Sequence, residues 1–229
     1  MTSSARRLLR RAIYSRLPRP FSEWLLRHRQ MRTWSTFAAA GLAYIHVPRA
    51  AGTSVSHELY GTWIEHHTLR DLLEVLPEDF AAMKRFTIVR NPWDRLLSAW
   101  SLARAGQGHD GRVFVNNPEH YQVAEAATFE RFVLEWLPSR KLERLDPLFR
   151  PQCSFIENTA GEIVYDHVGR FEDMTATEQW LSQQLGRQLR LPQYNQSRHP
   201  PYPECYTPEM RRIVAKIYAE DIERLGYSF

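Results

Sequence analysis

The 229-residue sequence has no apolar run approaching the roughly 20 residues that a bilayer-spanning helix needs. Its opening stretch, MTSSARRLLRRAIYSRL, has no uninterrupted apolar core followed by a small-residue cleavage site, so a secretory signal is not expected. Cysteine is scarce: Cys153 and Cys205 are too few for a disulfide framework or a four-cysteine zinc site, and free, buried thiols are expected. Internal repeats and low-complexity linkers are absent. Lysine is rare, 3 against 27 arginines, a ratio that base composition explains as readily as function. What is present is globular in proportion, 43% hydrophobic and 24% charged, which excludes a disordered, collagen-like or coiled-coil chain. A reduced, cytoplasmic, enzyme-sized domain with a substantial core is the expectation.

Charge is unevenly placed. Residues 1–32 hold nine arginines and one glutamate, a sum of +8, so the remainder of a chain of net +4 is mildly acidic at −4. Within that segment Leu8, Leu9, Ala12, Ile13 and Leu17 share one side of a helical wheel, with Arg6, Arg7, Arg10 and Arg11 on the other. Phe21, Trp24, Leu25 and His28 repeat the spacing beyond Pro18 and Pro20. Such helices can lie on an anionic membrane surface; the same pattern also suits an arm packed on its own domain. Nucleic acid is not an expected partner, because no recognisable module accompanies the arginines. The simplest division is a basic amphipathic helical arm over 1–40 and one domain over 41–229.

From residue 42 strands alternate with helices. Residues 42–47 and 85–90 read as buried strands. Each feeds a helix, the second opened by Asn91 as N-cap and Pro92 at the first helical position, and closed near Gly106. Residues 106–121 look irregular, and a helix is expected near 128–137. Residues 154–156 and 163–164 suggest a hairpin around Asn158-Thr159-Ala160-Gly161. Residues 168–171 suggest another strand, and Thr175 with Glu178 a capping box for a helix ending at Gly186. Thr207-Pro208 opens a last helix that ends before Gly226. The expected fold is α/β, three-layered and P-loop-like, with a central, mainly parallel sheet flanked by helices.

Two segments carry chemistry. In Pro48-Arg49-Ala50-Ala51-Gly52-Thr53-Ser54 a strand feeds a short loop and a helix N-terminus. Unpaired amides and the helix dipole make an anion site there, with small residues for close approach, two hydroxyls and one cation. The Gly-x4-Gly-Lys-Ser/Thr of a Walker loop is missing, which disfavours a P-loop kinase. In the second segment Arg90 ends a strand, where open α/β sheets bind ligands, and Ser98 lies two turns into the next helix. A forked guanidinium and a hydroxyl suit a second phosphate. Asp94 and Arg95 read as structural partners at the helix start.

Together, His46-Val47-Pro48-Arg49-Ala50-Ala51-Gly52-Thr53-Ser54 and Val89-Arg90-Asn91-Pro92-Trp93-Asp94-Arg95-Leu96-Leu97-Ser98-Ala99-Trp100 resemble the 5′-phosphosulfate and 3′-phosphate motifs of sulfotransferases. These enzymes use 3′-phosphoadenosine-5′-phosphosulfate (PAPS). The resemblance is to the family-2 group, which includes Golgi carbohydrate sulfotransferases and bacterial relatives. Pro151-Gln152, Val168-Gly169-Arg170-Phe171-Glu172, Asn195-Gln196-Ser197 and the stretch from Tyr218 to Tyr227 also look family-like, so it covers roughly 42–229. It implies that residues 50–54 cradle the 5′-phosphosulfate and that Arg90 and Ser98 hold the 3′-phosphate, with Asn195 and Ser197 closing over the nucleotide. It also implies a sulfate ester of a glycan or glycolipid and 3′,5′-ADP (PAP) as products, with no metal. Arg49 stands where the family usually has Lys, at the oxygen bridging sulfur and phosphate. That exchange keeps charge but not shape, and with the basic arm it leaves a catalytically silent nucleotide-binding or membrane-peripheral protein as the alternative.

A base for the acceptor hydroxyl must be a carboxylate or a neutral imidazole. His67 precedes the second motif much as the proposed base histidine does in heparan sulfate 2-O-sulfotransferases. Glu58 and then His57, on the helix after the first loop, follow it. His67 equally suits a helix-entry role before Thr68, and Asn195 and Ser197 equally suit an Asx turn.

Overall fold

The computed structural model describes residues 19–108, 113–115, 117–142, 145–192, 194 and 199–229. The first amphipathic stretch, Asn195 and Ser197 lie outside these. Helix α1 (Arg19–Ala40) leads into strand β1 (Ala43–Ile45), helices α2 (Gly52–Tyr60), α3 (Leu69–Val75) and α4 (Asp79–Ala82), and strand β2 (Arg85–Val89). Helix α5 (Pro92–Ala105) follows, then short turns, α6 (Phe129–Arg131), which widens into a π-helical turn over Phe132–Trp136, and α7 (Cys153–Ile156). Strand β3 (His167–Arg170), α8 (Met174–Leu185), α9 (Pro208–Ile217) and α10 (Ala219–Leu225) complete the chain.

The fold is α/β. The three described strands form one parallel sheet in the order β1-β2-β3, with Tyr44 opposite Phe86 and Thr87 opposite Val168. Both chemistry-bearing segments leave the same, C-terminal edge of that sheet, which is where parallel topology brings ligands. The expected Asn91–Pro92 start is present: Asn91 Oδ1 accepts from the Trp93 amide, and Gly106 ends α5 in the left-handed region.

One apolar cluster surrounds the sheet and takes in Phe37 of α1, Tyr44, Val55, Phe80, Phe86, Phe155 and Leu181. A second joins α5 to the π-helical turn and α9 through Leu96, Leu97, Phe132, Trp136, Phe149 and Val214. Among the described residues no helix is long and apolar enough to cross a membrane. Both cysteines are free, Cys153 buried and Cys205 half-buried.

Three local expectations fail. The turn at Asn158 exists, its Oδ1 accepting from the amides of Ala160 and Glu162, but residues 153–156 are helical and 163–164 are not a strand. The cause is distant: the Asp221 carboxylate accepts from the amides of Gln152 and Cys153 at 2.8 and 2.9 Å and caps that turn. Helix α8 is capped by Asp173, not by a Thr175–Glu178 box; Glu178 instead accepts from the Leu191 amide and Arg190. The last helix is two, divided at Tyr218, whose hydroxyl donates to the Phe149 carbonyl.

Candidate functional site

Beyond β1 the chain turns sharply. Arg49 and Ala51 have φ of 68° and 61°, and they are the only described non-glycine residues in the left-handed region. That conformation costs about 1–2 kcal/mol per residue and persists only where surroundings enforce it. Here three consecutive carbonyls are each held by a side chain. Arg95 Nε donates to Pro48 O at 3.0 Å, Arg90 Nη1 to Arg49 O at 3.2 Å, and Tyr44 Oη to Ala50 O at 3.3 Å. The first intrahelical bond of α2 runs from the Val55 amide to Ala51 O, so the amides of Gly52, Thr53 and Ser54 are the unspent donors of its first turn.

Gly52 is there because of His46. A Cβ at Gly52 would sit 1.6 Å from His46 Nε2. The imidazole cannot withdraw, since its Nδ1 lies 2.7 Å from Ile64 O. Only an N–H satisfies a carbonyl, so His46 carries its proton on Nδ1. Burial holds it neutral, well below the usual histidine range.

The second segment meets the first directly. Arg49 donates to Ser98 Oγ through Nε at 3.0 Å and Nη2 at 2.7 Å. Arg90 lies over the Phe171 ring, 4.0 Å from its centroid, and pairs with Asp94 at 2.8 Å. Its backbone is gripped by the Gln152 side chain, which accepts from Arg90 N and donates to Arg90 O. Arg95 is buried and spent on carbonyls, as a structural residue would be. Burial, then the charges of Arg90 and Arg95, lowers Arg49 to about 10; it stays cationic at neutral pH, in a place where a bound anion would relieve repulsion. Glu172 accepts from the Asn91 amide at 2.6 Å and ties the edge of the sheet.

A cavity of about 240 Å³ opens here, at the seam between the two apolar clusters. Since a water takes ~30 Å³, it has room for phosphate-sized groups. Arg49, Ala51, Gly52, Thr53, Ser54 and Arg90 line it. Ala50 and Ser98 are buried behind that lining, and Arg49 donates to the Ser98 hydroxyl from it. The Ser54 hydroxyl is engaged, donating to Pro192 O at 2.5 Å and accepting from the Tyr194 amide.

The base candidates fare differently. Glu58 accepts from Tyr194 Oη at 2.9 Å, and His57 packs edge-on to the Tyr194 ring; neither lines the cavity. His67 is also outside it. It sits 3.8 Å from Glu65, which Arg29 of α1 binds at 2.9 Å. The histidines that line the cavity are His46, His66 and His199, with His66 beside Trp63. Along residues 63–67, which belong to no helix or strand, Ile64 is buried, Trp63 and His66 line the cavity, and Glu65 is held by Arg29 with His67 beside it. Phe171 and Tyr194, which also line the cavity, were missed as site residues. Among the described residues no group of three or more His, Cys, Asp or Glu is placed to hold a metal ion.

Comparison with known proteins adds one finding: a family model described as "Sulfotransferase family" matches residues 35–228. No curated protein and no solved structure matches the chain.

Proposed function

The chain belongs to the sulfotransferase family, in its family-2 group, and from that premise we propose that it moves the sulfuryl group of PAPS to a hydroxyl of a carbohydrate, on a glycan or glycolipid, giving a sulfate ester and PAP. The observation that carries this reading is the meeting of the two anion-binding segments, Arg49 on Ser98 with Arg90 beside them. One nucleotide with a 3′-phosphate and a 5′-phosphosulfate on the same ribose needs two such sites side by side.

In this reading the amides of residues 51–54 and the Thr53 hydroxyl hold the 5′-phosphosulfate, with Ala50 behind them, its own amide donating to Val47 O. Gly52 permits the close approach, and Arg49 stabilises charge on the bridging oxygen. Arg90 and Ser98 take the 3′-phosphate, Arg90 by exchanging or sharing Asp94. Asn195 and Ser197 remain candidates for closing over the nucleotide. PAPS supplies an activated sulfuryl group with PAP as its leaving group. The protein's contribution is positioning and electrostatic stabilisation, as in phosphoryl transfer. A carbohydrate acceptor is supported by Trp63, which stands 39% exposed at the cavity and offers a flat apolar face to a sugar ring.

The arm has its own proposed role. On α1, Phe21, Trp24 and Met31 are exposed on the side opposite Gln30, Thr33 and Phe37, which are buried. Trp24 is 56% exposed and stacks between Phe21 and His28. With a sum of +8 over residues 1–32, this stripe suits the surface of an anionic membrane facing the cytoplasm. Phe37 in the sheet cluster supports counting the last turns of α1 with the domain that otherwise begins at 41.

The test is thermal unfolding with PAP beside 5′-AMP and ATP with magnesium, followed by transfer of ³⁵S from PAPS to a panel of sugars. PAP at 100 times its dissociation constant adds about 2.7 kcal/mol, a shift of several degrees at roughly 2–4 °C per kcal/mol. A weaker response to 5′-AMP and none to ATP is expected. No response to PAP at millimolar concentration sinks the proposal. For the arm, co-sedimentation with phosphatidylserine vesicles should require residues 1–32.

A further inference from the structure

The cavity has two chemically distinct walls. One is cationic and amide-lined, formed by Arg49, Arg90 and residues 51–54. The other is aromatic and neutral, formed by Trp63, His46 and His66. The Trp63 ring stands perpendicular to that of His66, 5.8 Å between centroids, and edge-on to that of His46 at 5.1 Å. An anionic nucleotide belongs to the first wall and an uncharged polyhydroxy ring to the second.

Hydrogen bonding fixes what His66 presents there. Its Nδ1 lies 3.1 Å from the carbonyl oxygen of His46, which obliges Nδ1 to carry the proton. Nε2 is left with its lone pair. Among the described residues no hydrogen bond claims that nitrogen, and it is not sealed off from solvent. Other imidazoles of the region differ. His46 is 2% exposed, with Nε2 against Gly52. His199 lines the cavity but its Nε2 is enclosed by protein. His67 Nε2 is likewise enclosed and faces Glu65.

We infer that His66 is the group that takes the proton from the acceptor hydroxyl, and that the Trp63–His66 wall is the acceptor side of the cavity, an assignment that rests on the sulfotransferase reading above. In the step, Nε2 of His66 accepts the hydroxyl proton as the acceptor oxygen bonds to sulfur. The bond from sulfur to the 5′-phosphate oxygen breaks, its electron pair leaves with PAP, and Arg49 faces the charge that develops. His66 ends as imidazolium and returns the proton to solvent. The groups acting on it, His46, His67, Glu65 and Arg95, leave it neutral at physiological pH: burial dominates and sets it at about 4. It is thus ready to accept a proton without first losing one.

The test uses the full chain and His66→Asn. An asparagine amide keeps the bond to the His46 carbonyl and removes only the Nε2 lone pair. PAP should stabilise this variant in thermal unfolding as much as it stabilises wild type. Release of ³⁵S from PAPS, to water and to a sugar panel, should fall 100-fold or more, within the range of general-base catalysis. In His66→Gly, added imidazole should restore release; the same imidazole should leave wild type unchanged. Nitrogen NMR of the wild type should find Nδ1 protonated and Nε2 bare at pH 7. Wild-type release by His66→Asn with PAP binding intact overturns the assignment, as does a loss confined to His67→Asn or His199→Asn. Failure of PAP to stabilise the wild type overturns the sulfotransferase reading instead, and this assignment falls with it.

Discussion

Arg49 spends two of its donors, Nε and Nη2, on the single hydroxyl oxygen of Ser98, 49 positions further along the chain. A lysine at 49 has one ammonium on a flexible stem and cannot make that fork. Arginine here therefore joins the two anion sites rigidly, and its left-handed backbone is the strain accepted for aiming it. Arg49→Ala is expected to lower sulfuryl transfer by 10²–10³-fold, the usual cost of removing an electrostatic stabiliser, with Arg49→Lys between it and wild type. Without ligand the opposite trend should hold. Removing a cation that burial and two other guanidiniums disfavour should leave the melting temperature unchanged or raise it. Arg49→Gly should exceed Arg49→Ala by about 1 kcal/mol, because glycine adopts this φ without penalty. Steady-state kinetics and unfolding curves on the three variants check both trends.

Gly52→Ala makes a sharper prediction. The added methyl would overlap the His46 ring, 1.6 Å from Nε2, and that ring is fixed by the Ile64 carbonyl while its own carbonyl holds His66. Overpacking of this kind costs about 1–3 kcal/mol, a fall of several degrees in melting temperature. PAP stabilisation should vanish with it, because the loop that carries the amides must move. His46→Ala in the same chain should recover melting temperature. Recovery by a distant substitution instead would contradict the contact.

Acid sensitivity follows from the imidazoles that burial holds below their ordinary range, His46 and His66 at the site and His67 and His167 outside it. His46 and His66 have folded-state values below the unfolded one of about 6.5, both through burial. The unfolded chain thus binds more protons between those values, so stability is full above pH 6.5 and declines as pH falls toward 4. Asp221, raised by burial, acts in the opposite sense and softens the decline. The difference between wild type and His66→Asn isolates one group. Wild type should lose more melting temperature than the variant between pH 7 and 4.5. Parallel curves would show that His66 is not held neutral.

Short-range signals made much of this molecule legible. Asn91-Pro92 and Gly106 bound α5, Thr207 caps α9, and the two strands feeding the anion loops appear as apolar runs. That both loops lie at one edge followed from the parallel topology, but the bond from Arg49 to Ser98 did not. What stayed hidden depends on contacts distant in sequence. That His66 and not His67 lines the cavity goes with two such contacts: His66 Nδ1 is tied to the His46 carbonyl, and Glu65, which His67 faces, to Arg29. Phe171 under Arg90 requires β3 beside β2. Residues 153–156 look strand-like by composition and become helical because a carboxylate 68 residues away accepts from the Cys153 amide.

That carboxylate gives the last prediction. Asp221 is fully buried and accepts from the amides of Gln152 and Cys153. Gln152, in turn, clamps both backbone groups of Arg90 with its side chain. A three-residue relay thus runs from α10 to the arginine proposed to hold the 3′-phosphate. Asp221→Ala leaves two buried amides without an acceptor, each worth about 1–3 kcal/mol, so a fall in melting temperature of roughly 5–15 °C is expected. Asp221→Asn should cost less, since one oxygen remains to accept, although its NH₂ opposes the second amide. Because the relay reaches Arg90, PAP affinity should fall in Asp221→Asn even where the protein is folded. In a double-mutant cycle with Arg90→Ala the two losses should be non-additive, as expected of coupled neighbours. Additive losses would mean that Asp221 caps α7 and does nothing for the nucleotide site.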